Sequence, residues 1–216
     1  MEFKYFVIIL SVTCIFFLYY LSTLSQPSYI HLVEISNYEG KQVVVEGIVT
    51  EQYTTTYGGQ IIEIKEQQND EHVGIIFVEE VTSVEYGDKI QATGKVQKYK
   101  DDWEVVVNNK KQIQILQKWS NLEVPLWQLA EDPNKYVGTN VNVTGIVDRV
   151  YDSYFYLVDS EDEYSIAVYY DSTRYYNISQ GDFVCVGGRF IYEAESLRFV
   201  LSSKDDEHHL YQIEED

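Results

Sequence analysis

The chain has 216 residues, room for two small domains that each bury a core, and its 45% apolar fraction and 20 tyrosines belong to a folded protein rather than a disordered one. A net charge of −19 sets up a long-range field that repels nucleic acid and anionic lipid and favours cationic partners. The two cysteines make no disulfide framework: Cys14 lies in an apolar run and Cys185 in a predicted strand.

Phe6 to Leu24 is 19 residues without a charge, long enough for a helix to cross a hydrocarbon core. It reads as an uncleaved membrane anchor. A signal peptide cleaved after Thr23-Leu-Ser25 is the alternative, although the apolar region of such peptides is usually shorter. The α-amino group and Lys4 precede the run and no Lys or Arg follows until Lys41, which places the N-terminus in the cytoplasm and the bulk of this single-pass chain outside it. Two sequons, Asn142-Val-Thr144 and Asn177-Ile-Ser179, are compatible with that extracytoplasmic location.

After the polar link Ser25–Ser28, Tyr29 to Asn37 leads into a long strand, Lys41 to Thr50. Its Val43, Val45, Gly47 and Val49 share one face by the period-two rule. Thr54-Thr-Thr-Tyr-Gly-Gly59 is a turn. Strands follow at Ile61–Lys65 and His72–Val78, joined by the loop Glu66–Asp70; Glu79 to Tyr86 is too short for a helix. Gly87-Asp88 opens a strand running through Lys98, and Trp103–Asn108 closes the unit. Ile113 to Leu122 bridges to Pro125–Pro133, one or two helical turns that Pro133 stops. Strands then recur at Val141–Val150, Phe155–Asp159, Tyr164–Tyr170, Asp182–Tyr192 and Leu197–Ser202, and the tail from Asp205 is acidic and frayed.

That recurrence is literal. Tyr38-Glu-Gly-Lys-Gln-Val-Val-Val-Glu-Gly-Ile-Val49 returns as Tyr136-Val-Gly-Thr-Asn-Val-Asn-Val-Thr-Gly-Ile-Val147, and Tyr86-Gly-Asp-Lys-Ile-Gln-Ala-Thr-Gly-Lys-Val96 answers to Gln180-Gly-Asp-Phe-Val-Cys-Val-Gly-Gly-Arg-Phe190. One all-β domain has been duplicated. The expected organisation is a transmembrane anchor at 1–25, a first domain at 28–118, a second at 124–204 and an acidic tail at 205–216. Glycine inside the leading strand marks a sharp bend or close backbone approach of the kind that barrel corners require.

On these residues the chain resembles the OB-fold domains of the anticodon-binding and single-strand nucleic-acid-binding type. The resemblance rests on the Tyr-x-Gly-x-x-Val-x-Val-x-Gly-Ile-Val opening and the Gly-Asp entry to strand four, and covers residues 28–202. It implies two tandem five-stranded barrels and departs from the usual pattern in lacking a helix between strands three and four. The ligand face of such barrels is built on strands two and three and flanked by two hairpin loops. Carried onto this chain, it comprises Tyr53, Tyr57, Ile62, Phe77, Lys98, Tyr99, Lys100 and Trp103 in the first unit. In the second it comprises Tyr151, Tyr154, Tyr156 and Tyr169 with Arg189 or Arg198. Single-strand binders stack bases on aromatics inside a positive groove, and the first unit has the main basic cluster, Lys89, Lys95, Lys98 and Lys100. A strand tyrosine more often packs than stacks, however, and lysines along one strand commonly guard an edge. Residues 28–118 carry nine Lys/Arg against fifteen Asp/Glu, net −6, and residues 119–216 six against nineteen, net −13. Affinity driven by counterion release needs the opposite sign, which makes the second unit the poorer nucleic-acid binder.

No catalytic constellation is present in the pattern. His31, His72, His208 and His209 lie in no metal-ligand spacing, Gly87–Lys95 lacks the spacing of a phosphate loop, and Asp159–Glu163 lacks the glycine of a calcium loop. The chain therefore reads as a non-enzymatic binding protein with no cofactor, no metal and no small-molecule substrate. Three ligands fit: single-stranded nucleic acid, as the resemblance implies; a glycan, for which tyrosine-rich faces with carboxylates are suited; or a partner protein at the envelope.

Overall fold

The computed structural model describes residues 2–24, 26–66, 69–175 and 177–213. Its first barrel is made of β2 (Gln42–Thr54), β3 (Gln60–Glu66), β4 (Asn69–Val78), β5 (Lys89–Tyr99) and β6 (Asp102–Val107). β2 is long enough to pair with β5 through Gln42–Ile48 and with β3 through Ile48–Thr54, so the sheet closes in the order β2–β3–β4–β6–β5 with β4 and β6 parallel. The second barrel repeats this connectivity in β8 (Asn140–Val150), β9 (Tyr154–Val158), β10 (Ser165–Tyr170), β11 (Phe183–Glu193) and β12 (Arg198–Ser203), with β10 and β12 parallel. Two closed five-stranded barrels of this order are tandem OB-folds.

The equivalence extends to single hydrogen bonds. Val49 N–H donates to Asp88 O and Gly87 N–H to Val49 O; in the second barrel Val147 donates to Asp182 O and Gly181 to Val147 O. Closure depends on glycine at two aligned positions where the leading strand turns from one neighbour to the other. A Cβ on Gly47 would lie 2.8 Å from Lys65 O, and one on Gly145 would lie 2.6 Å from Val158 O. The inward alternation expected of the leading strand holds: Val43, Val45 and Val49 are fully buried with Ile62, Ile64, Ile76 and Ile90. The second core is built likewise from Val143, Val147, Phe155, Leu157, Phe190 and Leu201.

Several sequence expectations are corrected. The lead-in to the first long strand, left without an assigned element by the sequence, is β1 (Ser28–Tyr29) followed by a 3-10 helix, Leu32–Tyr38, whose Leu32 plugs the barrel against Gly74. In the second unit α2 (Leu126–Glu131) supplies Leu126 and Leu129 to the core in the same role. The plug thus comes from ahead of strand one, which accounts for the lack of a helix between strands three and four. Pro133 does not merely stop α2 but occupies the first turn of a further helix, α3 (Pro133–Tyr136), where its missing N–H costs nothing.

The bridge and the tail are both strands. β7 (Ile113–Gln117) adds to β5, and β13 (His209–Gln212) adds to the equivalent stretch of β11. The duplicated unit therefore has six strands, and the tail is ordered through Leu210 and His208, both buried.

Bridge and tail also join the units. Lys118 Nζ lies 2.9 Å from the buried Asp88, Trp119 donates through Nε1 to Glu85 at 2.7 Å, and its ring stacks on His209 with 5.7 Å between centroids. Cys185 is buried in the same region beside Asn142.

N-terminal to this body runs α1 (Glu2–Leu24), in which Lys4–Ser22 has mean hydropathy 2.1 and is not covered by the rest of the chain. It is long and apolar enough to cross a membrane, and a signal sequence passes the same test. The cleavage site considered at Ser25 and the loop centre at Gln67–Gln68 lie outside the described residues.

Candidate ligand-binding face

The register of the first barrel sets Tyr53 opposite Ile61 and Ile61 opposite Phe77, one outward-facing row across β2, β3 and β4. The Phe77 ring is half covered by the β2–β3 hairpin, for a Cβ on Gly59 would lie 2.9 Å from it, while Tyr57 at the tip is fully exposed. Gln60 anchors the hairpin base, donating to Gln52 and accepting from both the backbone N–H and the hydroxyl of Thr82, each at 2.8 Å.

The remaining first-unit residues do not join that row. Ile62 points inward and is fully buried, so it is core. Trp103 has the inward parity of Val105 and packs half-buried against the core, with Lys98 Nζ 5.8 Å above its ring. Tyr99 and Lys100 form the β5–β6 hairpin, Lys100 with φ +55 and its ammonium over the Tyr99 ring, at the opposite end of β3 and β4 from Tyr57. The four lysines form no single groove. Lys89 pairs with Glu46 at 3.7 Å at the start of β5, and Lys98 lies nine residues on, about 30 Å along a strand.

The second barrel brings its residues together. Tyr154 and Tyr156 point outward from β9, and Tyr169 faces Tyr154 across the β9–β10 pair. Tyr151, 42% exposed in the preceding hairpin, stacks on Tyr154 at 4.5 Å between centroids. Tyr156 and Tyr169 each meet Tyr154 edge-on at 5.9 Å. Arg198, on the outward side of β12, donates to Tyr169 Oη at 2.9 Å, to Glu193 at 3.2 Å and to Tyr156 Oη at 3.4 Å. Tyr169 Oη donates in turn to Glu193 at 3.1 Å. The Ser196 hydroxyl, then Tyr169 and Arg198, hold the Glu193 carboxyl below the usual carboxylate range against the opposing effect of burial. The Arg149 guanidinium sits 4.8 Å over Tyr156 and the Lys204 ammonium 5.0 Å over Tyr169.

Part of this cluster is packing: Ala167 faces Tyr156 on the outer surface and is nonetheless buried, as is Val200 beside it. The exposed remainder is a set of ring faces and edges interleaved with three cations, two of which already have a carboxylate, Arg149 with Asp148 at 2.8 Å and Arg198 with Glu193. Such a surface takes flat or ring-shaped groups by stacking and donates hydrogen bonds at their edges.

Of the two arginines offered for this face, only Arg198 is there. Arg189 lies at the seam between the units, its guanidinium 3.8 Å from the Tyr86 ring and its Nε donating to Gly138 O. Sequence reasoning did not find Arg149, Glu193 or Lys204. For Lys204 a signal exists, since it continues the outward alternation of Arg198, Val200 and Ser202 past the buried Ser203. The two sequons also separate: Asn142 is buried and donates to Ser120 O, whereas Asn177 is exposed.

Residues 34–111, the first barrel, match the tRNA_anti-like family model. No curated protein matches this chain. Among solved structures, an asparaginyl-tRNA synthetase from Pyrococcus horikoshii is similar over 52% of this chain and 28% of its own, at 14% identity and TM-score 0.35. An aspartyl-tRNA synthetase described from Leishmania major Friedlin is similar over 43% of this chain and 21% of its own, at 12% identity and TM-score 0.35. The single-stranded DNA binding protein from Thermus aquaticus is similar over 82% of this chain and 95% of its own, at 14% identity and TM-score 0.30. This chain thus spans less than a third of either synthetase.

Proposed function

We propose that this protein is a non-catalytic, membrane-anchored binding protein whose second barrel takes an extended ligand with successive ring faces across Tyr151, Tyr154, Tyr156 and Tyr169. The supporting observation is that cluster, with Arg149, Arg198 and Lys204 around it, at the place where OB-folds hold ligands. Single-stranded nucleic acid is the first ligand, in keeping with the tRNA_anti-like match of the first barrel. Base stacking on aromatics is sequence-tolerant and contributes about 1–3 kcal/mol per base, enough to offset part of an unfavourable net charge. The first barrel contributes Tyr53, Tyr57 and Phe77 on one side and Tyr99 and Lys100 at the far hairpin. The helix α1 holds both barrels at the outer face of the membrane.

A second reading has its own support. Two of the three cations on the face are neutralised by Asp148 and Glu193, leaving tyrosine rings beside carboxylate and guanidinium groups, a surface equally suited to an oligosaccharide. Titration of residues 26–216 with fluorescent oligonucleotides at low salt separates the two. Binding that weakens as salt rises supports nucleic acid. No oligonucleotide binding, with retention on a glycan array, transfers the same face to oligosaccharides, and failure of both removes the proposal.

A further inference from the structure

The duplication supplies a comparison within one molecule, and it singles out a groove on the side of the second barrel formed by α2, β8 and the β9–β10 hairpin. The groove has a volume of about 550 Å³ and a floor of Leu126, Gly145, Tyr164, Phe183 and Trp127, the last 48% exposed. Its rim carries Glu123, Glu131, Asp159, Glu161 and Glu163, and among the described residues no Lys, Arg or His lines it. Among the described residues none of these five carboxylates is in an ion pair. Glu123 accepts from the Thr144 hydroxyl, and Asp159 accepts from the backbone N–H groups of Glu163 and Tyr164.

The first barrel has the corresponding cleft, with Gly47 where the second has Gly145, Glu46 where it has Thr144 and Lys89 where it has Phe183. That copy carries its own cation: Lys89 pairs with Glu46 at 3.7 Å, and His31 Nδ1 lies 3.4 Å from Glu66. Burial, with the Glu46 carboxylate beside it, pushes the Tyr29 hydroxyl up to about 12. The second copy has replaced the cation by an exposed aromatic ring and has gathered carboxylates from three separate elements. Exposed Trp and Phe in a concave site are the residues that carry binding energy when covered.

We propose that this groove docks a lysine- or arginine-bearing peptide segment of a partner protein, its apolar side chains on Trp127 and Phe183 and its cations on the acidic rim. The spread of the carboxylates decides the class of occupant. No three His, Cys, Asp or Glu side chains among the described residues converge as metal ligands, so a single ion cannot satisfy the rim, whereas cations spaced along a chain can. The apolar floor then buries what lies between them, and ammonium or guanidinium groups gain further from the ring faces.

The test uses the full chain in zwitterionic detergent and a fluorescent peptide of alternating Lys and Leu, with Lys–Ser and Glu–Leu peptides for comparison. The Lys–Leu peptide binds, the Lys–Ser peptide binds more weakly, and the Glu–Leu peptide does not bind. Glu161→Lys/Glu163→Lys lowers affinity by about tenfold or more, as does Trp127→Ala. A charge-matched surface pair on the other barrel, Glu39→Lys/Asp101→Lys, changes it by about twofold at most, the screened long-range effect alone. Equal losses from the two charge reversals, or an unchanged affinity in Trp127→Ala, would overturn the groove in favour of a diffuse field. Tyr154→Ala/Tyr156→Ala leaves peptide binding intact, so the fate of the tyrosine face is read separately.

Discussion

Closure of each barrel depends on a glycine at the bend of its leading strand, and Gly145→Ala tests this with a result whose sign is informative. In an open or differently wound sheet the added methyl would be neutral or stabilising by about 0.4–1 kcal/mol, because alanine restricts the unfolded chain. In the closed barrel the new Cβ would lie 2.6 Å from the carbonyl oxygen of Val158 and 2.8 Å from Leu157 Cγ. The first of these belongs to the backbone of a paired strand and cannot rotate away. Overpacking of this kind costs about 1–3 kcal/mol, so the net change is a loss of about 1–2 kcal/mol. For a domain of this size that lowers the melting temperature by roughly 5–15 °C. Gly47→Ala lowers stability in the first barrel in the same way, against Lys65 O at 2.8 Å. Calorimetry or urea unfolding of residues 26–216, which contain both cores, measures either variant. An unchanged or raised stability in Gly145→Ala would refute the close crossing of β8 over β9, and the shared ligand face would go with it.

The seam and the tail give two more expectations. Asp88 is fully buried, accepting from Glu85 N–H and Trp119 N–H and pairing with Lys118, so Asp88→Asn turns an acceptor into a donor facing donors. A loss of about 1–3 kcal/mol in thermal unfolding is expected, at the lower end because Lys118 is partly solvated. The equivalent Asp182→Asn costs less, since its partners Ser179 and Gln212 are exposed, and equal losses would contradict the assignment. His208 is buried with Nε2 facing Asn140 Oδ1 at 3.2 Å and Nδ1 accepting from Asp205 N–H at 3.3 Å, which fixes the neutral ring. Burial pulls its pKa below the ordinary histidine value against the pull of Asp205 and Glu207, with His209 and Arg174 adding to the depression. A histidine depressed in the folded state stabilises β13 fully above the unfolded value of about 6.5 and loses that contribution as pH falls below it. Hydrogen-exchange protection of Tyr211 and Ile213, whose N–H groups face β11, therefore drops between about pH 7 and pH 5, and constant protection factors across that range would exclude His208 as the cause.

Much of the barrel was legible in the sequence because its determinants are local and repeated. The alternating valines give the inward face, and the aligned glycines and Gly-Asp turns give the bend and the strand entry. β7 and β13 were not, for a different reason in each case. Ile113–Gln117 is exposed along most of its length and alternates weakly, and the tail hides one buried leucine and one buried histidine among acidic residues. Trp103 shows the limit of reading an aromatic on a strand end, where parity rather than residue type decides between plug and ligand platform. The tyrosine cluster was half legible. Tyr151, Tyr154 and Tyr156 lie within six residues with Arg149 just ahead of them, but Tyr169, Arg198 and Lys204 join them only through the pairing of β10 with β9 and β12. A net charge averaged over the whole unit conceals that local grouping.

The ligand face is tested most directly by comparing two double variants in one oligonucleotide titration at low salt. Tyr154→Ala/Tyr156→Ala removes two stacking platforms of the second barrel, worth about 1–3 kcal/mol each, and is expected to weaken binding by about tenfold or more. Tyr53→Ala/Tyr57→Ala, in the first barrel, is expected to weaken it less. The opposite order, with the second-barrel pair silent and the first-barrel pair severe, would contradict the assignment of the principal face to the second barrel.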